Sequence, residues 1–228
     1  MVEQKKILVI AAHPDDEILG CGGTMARLTS EEHLVYTLIL GEGITSRSQT
    51  RQPEKVQKEL AELKRNILTA NYSLGVKEII SLDFPDNRFD SVPLLDIVKE
   101  IEKIKTRIKP DTIFTHYEND LNIDHQVTFR AVLTATRPLP DETVKEILSF
   151  EVLSSTEWNF PSRFDPNYFV DITKTLDAKL EAMKQYAGEL RVFPHPRSLE
   201  GIKAAAQTWG MKNGVKSAEA FKLIRALV

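Results

Sequence analysis

The sequence contains a single cysteine, Cys21, and has no apolar run of the length that a membrane span requires. One cysteine excludes an intramolecular disulfide and is typical of a protein in a reducing compartment. The apolar run near the N-terminus is too short for the core of a signal peptide, and no window approaches the roughly 18 apolar residues of a transmembrane helix. These absences predict a cytoplasmic protein that does not insert into a membrane.

The sequence also has no excess of one charge, no internal repeat and no low-complexity tract. Its 30 basic and 33 acidic residues give a formal net charge of −3, and the basic residues are spread along the chain. A nucleic-acid-binding protein normally concentrates its basic residues in a patch, so we expect no nucleic-acid partner. The 228 residues suffice for one domain over residues 1–228. We expect its C-terminal segment 187–228 to pack near the mouth of an active site or to form a subunit contact in a homo-oligomer.

Patterns typical of buried strands alternate with helical patterns along the chain. The predicted strands are 6–12, 33–40, 77–84, 111–117, 146–155 and 168–172. The predicted helices are 18–31, 53–74, 94–108, 123–136, 173–187 and 198–212, with another at 217–227. This alternation predicts an α/β fold with a mostly parallel sheet that is covered by helices on both faces. Ligands of such sheets bind beyond the C-terminal ends of the strands, where four polar segments should converge: 13–17, 41–52, 85–91 and 116–125.

The stretch AAHPDDEILGCGGT, residues 11–24, places one histidine and three carboxylates within five residues at the end of a predicted strand. Such crowding of negative charge is unfavourable unless a cation lies among the carboxylates. His13 and Asp16 are three residues apart at a loop-to-helix junction, so both side chains can face one metal ion. Asp15 would then lie beside a metal-activated water, where it can accept a proton.

Two other interpretations of this stretch are weaker. Asp15 or Asp16 can cap the following helix while Glu17 interacts with the helix dipole, but a cap explains one carboxylate better than the whole run. A strand, a turn and a helix with glycines also resemble a dinucleotide-binding unit. The G-x-G-x-x-G spacing is missing, however, and carboxylates at a helix N-terminus repel a pyrophosphate.

A second polar stretch, THYENDLNIDHQ at residues 115–126, also follows a predicted strand. Its His125 is the candidate third ligand, and Asp124 is the expected neighbour that orients it. A catalytic zinc ion commonly takes three nitrogen or oxygen ligands from the protein and keeps one position open for water. Alone, His125 would suit a partly exposed helix position, and His116 fits either the wall of the site or the core.

The two motifs, and the order of strands and helices between them, resemble the LmbE-like, or PIG-L-type, zinc-dependent N-deacetylases over most of the chain. The resemblance implies a Rossmann-like three-layer sandwich and hydrolysis of an N-acetyl group, commonly on an N-acetylglucosamine moiety. By motif position it implies one zinc ion per chain bound by His13, Asp16 and His125, with Asp15 as the general base. Such a ligand set also accepts iron, cobalt or manganese.

The sequence departs from the family pattern at Asn122. Many members read H-P-D-H where this chain reads N-I-D-H at residues 122–125, and the first histidine resembles an acid or an electrostatic helper. Asn122 donates a hydrogen bond but carries no proton at neutral pH, so the donor of the proton to the leaving amine stays open. Asn122 and Asp124 remain catalytic candidates. The candidate proton donors are His195, between two prolines in RVFPHPRS, and Asp15 itself; the alternative interpretation of His195 is a surface loop residue.

The candidate substrate contacts lie in loops that follow predicted strands. They are Asp86, Arg88, Arg47 and Arg51. The first pair is placed to bind sugar hydroxyls, and the arginines of the second pair are placed to hold a phosphate or carboxylate on the group that carries the sugar. Arg191 and Arg197, which flank His195, suit the same role. For each arginine a solvated surface position is an equally good interpretation.

We therefore expect a metal-dependent hydrolase whose partner is a small-molecule amino sugar. A metal-dependent amidase for a non-sugar or thiol-conjugate amide is the alternative, because loops build the substrate pocket. A non-catalytic metal- or nucleotide-binding module is the third interpretation. Asp15 argues against that module, because a pure binding site does not need a free carboxylate beside its ligands, whereas the loss of the helper histidine at residue 122 argues for it.

Overall fold

The computed structural model describes residues 4–47 and 53–228, without the side chains of Arg47 and Pro53. Its strands are β1 Lys6–Ala11, β2 Leu34–Gly41, β3 Glu78–Phe84, β4 Thr112–His116, β5 Glu146–Phe150, β6 Tyr168–Asp171 and β7 Ala218–Ala226. Its α-helices are α1 Asp16–Ser30, α2 Gln57–Ser73, α3 Leu94–Ile108, α4 Ile123–Ala135, α5 Leu176–Lys184 and α6 Leu199–Lys212. Among these residues, no helix is both long and apolar enough to cross a membrane.

The strands form one sheet in the order β3-β2-β1-β4-β5-β7-β6. The pairs from β3 through β5 are all parallel. Strand β7 is antiparallel to both of its neighbours, β5 and β6. The predicted α/β class with a mostly parallel sheet is therefore confirmed.

Helices cover both faces of the sheet, and each face has its own hydrophobic core. On one face the buried side chains of α1, α2 and α6 include Ile18, Leu63 and Ile202. On the other face α3 and α4 contribute Ile101 and Val132. Helix α3 shows why the sequence predicts this arrangement, because its isoleucines recur every three or four residues and form one buried stripe.

Residues Ala218–Ala226 form the strand β7, so the helix predicted at 217–227 is wrong. In β7, Phe221 pairs with Phe150 of β5 and with Tyr168 of β6. Alanine, glutamate, lysine and leucine favour a helix when only local preference acts. Here the free edges of two strands supply backbone partners, and burial between them outweighs that preference.

The other predicted elements are present, with some shifted ends. Strand β5 ends at Phe150 rather than at residue 155. Helix α2 begins at Gln57 rather than at residue 53, and a short 3-10 turn occupies Pro53–Lys55. Helix α5 is shorter than the predicted range 173–187. Each shift lies at an element end, where local patterns carry the least information.

Candidate active site

A polar cavity of about 130 Å³ lies beyond the C-terminal ends of the parallel strands. Its walls come from segments that follow β1, β2 and β3 and from the residue that precedes α4. This is the expected place for a ligand site of a parallel sheet. The C-terminal segment adds Glu189 and Arg197 to the wall. Polar segments predicted to converge here therefore do so within the described part of the chain.

Three side-chain atoms form a nearly equilateral triangle beside this cavity. Asp16 Oδ2 lies 3.3 Å from His13 Nδ1 and 3.2 Å from His125 Nε2. The two histidine nitrogens are 3.3 Å apart. Zinc bonds of about 2.0–2.1 Å at tetrahedral angles place two ligand atoms about 3.3–3.4 Å apart. The triangle therefore has the spacing of three ligands around one small divalent cation.

The local fold explains why these three residues meet. His13 lies two residues after the end of β1, and Asp16 is the first residue of α1. His125 lies in the first turn of α4, which follows β4, and β4 pairs with β1. The amide of His13 also donates to Asp16 Oδ2 at 2.9 Å, which fixes the carboxylate against the turn.

The second oxygen of Asp16 also fits a bound cation. Asp16 Oδ1 is buried and has no hydrogen-bond partner among the residues that the structure describes. Buried carboxylate oxygens normally have a partner, and a divalent cation beside Oδ2 would satisfy the charge of the whole group. The donor set, two imidazoles and one carboxylate, is the chemistry that zinc prefers in catalytic sites.

Asp124 supports His13 rather than His125. Its Oδ2 lies 2.9 Å from His13 Nε2, and its Oδ1 accepts a hydrogen bond from the Phe89 amide at 2.9 Å. The sequence suggested Asp124 as the neighbour of His125, its partner in the motif. Consecutive residues of a helix point in different directions, so the two side chains reach different places.

Asp120, which was not among the predicted site residues, is the neighbour of His125. Its Oδ1 lies 3.0 Å from His125 Nδ1. The hydroxyls of Ser155 and Thr156 both donate to the Asp120 carboxylate. Asp120 lies within the second motif, residues 115–126, so its place in that motif could have indicated a role in the site. Its partners come from the loop after β5, which the sequence did not connect to this site.

The charged groups of the triangle shift one another's pKa values. Burial opposes protonation of His13, but Asp124 and Asp16 outweigh it and raise the pKa of His13 to about 10. Burial likewise opposes protonation of His125, while Asp16 and Asp120 raise its pKa to about 9. Burial also disfavours the ionised form of Asp16, but His125 and His13 hold its pKa well below the usual range.

His116 is a fully buried residue that packs behind His125. Its ring stacks on the ring of His125 with centroids 4.0 Å apart, and its Nε2 accepts a hydrogen bond from the Ala12 amide at 2.8 Å. Burial, reinforced by the nearby charge of His125, lowers the pKa of His116 well below the usual range. The sequence left His116 between site wall and core; the residue is fully buried and does not line the cavity, so it belongs to the core behind His125.

Asp15 lines the cavity in an uncommon backbone conformation. Its φ is 99°, its side chain makes no capping hydrogen bond to α1, and it is 2% exposed. Arg197 Nη1 donates to Asp15 Oδ2 at 3.0 Å. Burial raises the pKa of Asp15 well above its usual range, although Arg197 opposes this shift. The capping interpretation of Asp15 is therefore wrong, and the carboxylate lines the cavity with Arg197 as a cationic partner.

Glu17 holds the strained turn from behind. Its Oε2 accepts a hydrogen bond from the Asp15 amide at 3.0 Å. Its Oε1 accepts hydrogen bonds from Tyr186 Oη at 2.7 Å and from Asn71 Nδ2 at 2.8 Å. Burial raises the pKa of Glu17 to about 7. The sequence assigned Glu17 only a dipole interaction, whereas this fully buried carboxyl joins three segments behind Asp15.

Asp86, Asn87 and Asn122 form another polar part of the cavity wall. Asp86 Oδ1 lies 3.5 Å from His13 Nε2, and its Oδ2 accepts the Ser46 amide at 3.0 Å. Asn122 caps α4 by accepting the Asp124 amide, and its Nδ2 donates to Asn87 Oδ1 at 2.9 Å. Asp86 and Asn122, both candidates from the sequence, line the cavity together with Asn87.

The remaining predicted site residues lie elsewhere. His195 is not among the residues that line the cavity; its Nδ1 accepts the Arg197 amide at 3.1 Å, and its ring packs edge-on against Trp158. Arg88 is exposed and does not line the cavity either. Arg47 ends a short 3-10 turn, but its side chain is outside the description, and Arg51 lies outside the described residues.

Comparison with known proteins identifies the family. The family model described as PIG-L: GlcNAc-PI de-N-acetylase matches residues 8–136, which is more than half of the chain. Diacetylchitobiose deacetylase of Thermococcus kodakarensis is 26% identical over 228 residues, with 96% of this chain and 83% of that protein covered. The uncharacterized deacetylase YaiS of Escherichia coli strain K12 is 30% identical over 192 residues, with 81% and 91% covered.

A solved structure has the same fold. The crystal structure of the conserved protein TT1542 from Thermus thermophilus matches with a TM-score of 0.77 at 25% identity. The match covers 99% of this chain and 97% of that chain, so the fold agrees over its whole length. The chain belongs to the PIG-L family.

Proposed function

We propose that this protein is a divalent-metal-dependent hydrolase that removes the N-acetyl group from an N-acetylglucosamine-type amino sugar. The observation that carries the proposal is the triangle of His13, Asp16 and His125 beside the buried carboxylate of Asp15. The family description names a GlcNAc-PI de-N-acetylase, and the archaeal relative is named a diacetylchitobiose deacetylase. Acetylated glucosamine units are the substrates that these names share.

In this proposal His13, Asp16 and His125 hold zinc. A bound zinc ion would supply Lewis-acid polarisation of the amide carbonyl and would lower the pKa of water toward about 7. Asp124 and Asp120 orient the two imidazole rings through the nitrogens that face away from the triangle. The protein thereby presents a rigid set of ligand atoms.

Asp15 acts as the general base. Its Oδ2 stays bound to Arg197, and its Oδ1 accepts a proton from the attacking water. The water oxygen bonds to the acetamide carbon, and the carbon–nitrogen bond then breaks. The proton passes from Asp15 Oδ1 to the leaving nitrogen, so the products are acetate and a free amino sugar.

We assign both proton transfers to Asp15 because the other candidates lack support. Asn122 has no titratable proton, and its amide is used by the α4 cap and by Asn87. His195 does not line the cavity. Burial raises the pKa of Asp15, which makes its carboxylate a stronger base and lets it keep the proton until the nitrogen leaves.

The part of the wall formed by Asp86, Asn87 and Asn122 is suited to bind sugar hydroxyls. Asp86 and Asn87 present carboxylate and amide groups to the cavity next to His13. Such groups bind hydroxyls through hydrogen bonds in both directions. We therefore infer that this wall holds the sugar ring with its acetamide directed at the triangle.

The proposal is tested by measuring acetate release from a panel of acetylated compounds. The panel contains N-acetylglucosamine, N,N'-diacetylchitobiose, an N-acetylglucosamine glycoside, and acetylated amines and thiol-conjugate amides without a sugar. We expect zinc-loaded protein to release acetate from the sugars, and Asp15→Asn to release little or none. Release only from the non-sugar amides would replace the sugar assignment with the amidase alternative, and no release from any compound would contradict the deacetylase proposal.

A further inference from the structure

Helix α1, whose first turn carries the candidate metal ligand Asp16, is broken in its middle. Cys21 has φ −146° and ψ 21°, which lie outside the helical range. The break separates a front half, residues 16–20, from a back half, residues 22–30. A continuous helix would join the amide of Gly23 to the carbonyl of Leu19, so the break creates a need for other partners.

A buried ion pair fills this break. Glu219 of β7 accepts the Gly23 amide at 2.9 Å and the Thr24 amide at 2.7 Å, one on each carboxylate oxygen. Lys179 of α5 donates to the Leu19 carbonyl at 2.7 Å and to Glu219 Oε1 at 2.6 Å. Lys179 therefore provides a hydrogen-bond donor for a carbonyl at the C-terminal end of the front half. Glu219 provides acceptors for the amides at the N-terminal end of the back half.

The break lets the two halves of α1 contact different neighbours. In the front half, a Cβ at Gly20 would lie 2.2 Å from the ring of Phe150, so the backbone sits directly on that ring. The Phe150 ring lies 4.9 Å from His116, which stacks on His125. The front half thus rests on the aromatic layer beneath the metal triangle.

The back half packs against the turn between β6 and α5. A Cβ at Gly23 would lie 2.8 Å from Ile172, and the hydroxyl of Thr175 donates to the Gly23 carbonyl at 2.8 Å. The front and back halves are therefore held by separate parts of the fold. The angle between them is set at the break, where Lys179 and Glu219 lie.

Stability alone does not explain why this ion pair is buried. Lys179 and Glu219 are each 4% exposed, and burying two charges costs desolvation that their attraction often fails to recover. An unbroken helix would need neither charge. The pair bonds the backbone groups that the break leaves without helical partners, namely the Leu19 carbonyl and the amides of Gly23 and Thr24. This role explains why two charges are buried here.

We infer that Lys179 and Glu219 are positioning residues that set the direction of the front half of α1 and thereby the placement of Asp15 and Asp16. The inference rests on the proposed function for its kinetic test. Its zinc-binding test needs only the ligand triangle, so the failure of one proposal can be told from the failure of the other.

The matched comparison is Lys179→Met against Lys105→Met. Lys105 also pairs with a carboxylate, Glu142, and donates to a helix carbonyl, that of Ala135, but it does so on the opposite face of the sheet. We expect both variants to lose stability in urea. Under conditions where each is folded, only Lys179→Met should weaken zinc affinity in a chelator competition, by about tenfold or more, as for other residues that orient ligands. Its kcat for acetate release should fall with little change in KM.

A second variant keeps the test valid if Lys179→Met does not fold. Lys179→Met/Glu219→Gln leaves no unpaired buried charge but still removes the donor to the Leu19 carbonyl, so we expect it to fold and to bind zinc weakly. Wild-type zinc affinity and kcat in this folded variant would overturn the inference. Equal losses in Lys179→Met and Lys105→Met would also overturn it, because both would then report general destabilisation.

Discussion

Arg197 Nη1 donates a hydrogen bond to the buried carboxylate of Asp15 at 3.0 Å. Arg197 belongs to the C-terminal segment, and its Nε donates to the Leu153 carbonyl at 3.3 Å, so the guanidinium is fixed from two sides. Its charge opposes the burial that raises the pKa of Asp15. Arg197 therefore favours the ionised form of the carboxylate that we propose as the general base.

Replacing this arginine should change the pH dependence of catalysis. Without the guanidinium, the pKa of Asp15 rises further, so a higher pH is needed to ionise the base. We expect Arg197→Met to move the acid limb of the kcat profile to higher pH and to lower kcat at neutral pH about tenfold or more, because a charged hydrogen bond of about 1.5–3 kcal/mol is lost. The measurement is kcat for acetate release between pH 5 and 9.

The control for this experiment is Arg191→Met. Arg191 lies in the same segment, but its guanidinium donates to the Gly188 and Leu190 carbonyls rather than to Asp15. We expect its pH profile to match that of the wild type. An unshifted acid limb in Arg197→Met would mean that Arg197 does not set the ionisation of the base.

Asp15→Asn should separate catalysis from metal binding. Loss of a general base commonly costs about 10²–10⁴ in rate, and Asp15 is not part of the ligand triangle. We expect kcat to fall by that order while zinc affinity stays within about threefold of the wild type, because the ligands are untouched. Calorimetry and acetate release on the same preparation measure both. A parallel loss of zinc affinity would show that Asp15 acts as a ligand.

Zinc binding should release protons to the buffer. The carboxylates around His13 and His125 outweigh burial and raise the pKa values of both rings, to about 10 and about 9. The raised pKa values favour the protonated form of these rings, whereas only neutral imidazole binds a metal. We expect apparent zinc affinity to rise between pH 6 and 8. Titration calorimetry in buffers of different ionisation enthalpy checks this, and a buffer-independent heat would contradict it.

Glu151 should make the fold less stable as the pH rises. Burial raises the pKa of Glu151 from 4.5 to about 7, although the indole of Trp209 donates to its carboxylate. Between these two values the folded state holds a proton that the unfolded state has lost, so the contribution of Glu151 to stability falls as the pH rises from about 4.5 to 7. Glu151→Gln keeps the acceptor for Trp209 and removes this titration.

The corresponding measurement is the difference in Tm between Glu151→Gln and the wild type. We expect the Tm of Glu151→Gln, relative to that of the wild type, to be higher at pH 8 than at pH 5. A difference that is independent of pH would mean that Glu151 is already ionised at low pH in the folded protein.

The triangle of candidate metal ligands could be predicted because it depends on regular features. His13 and His125 each follow a buried strand, and residues that follow neighbouring parallel strands meet at one edge of the sheet. The spacing of three residues between His13 and Asp16 at the start of a helix predicted that both side chains can face one metal ion. The same regularity predicted the mostly parallel sheet and the two helical layers.

The contacts made by loops and by the C-terminal segment could not be predicted in this way. The sequence drew attention to His195, but its neighbour Arg197 reaches Asp15, because the direction of a side chain in an irregular loop depends on contacts such as that with Leu153. Asp120 reaches His125 with help from the loop after β5. The strand β7, which carries Glu219, forms by pairing with strands distant in the sequence, which local preference does not encode.

The central claim is that the triangle holds the metal on which acetate release depends. The most direct measurement is acetate release from N,N'-diacetylchitobiose while metal-free protein is titrated with zinc, with the bound zinc measured in the same samples. We predict that the rate rises in proportion to bound zinc and reaches a plateau at one equivalent per chain, and that His125→Ala shows neither binding nor activity. Acetate release by the metal-free protein, or by the His125→Ala variant at the wild-type rate, would contradict the account.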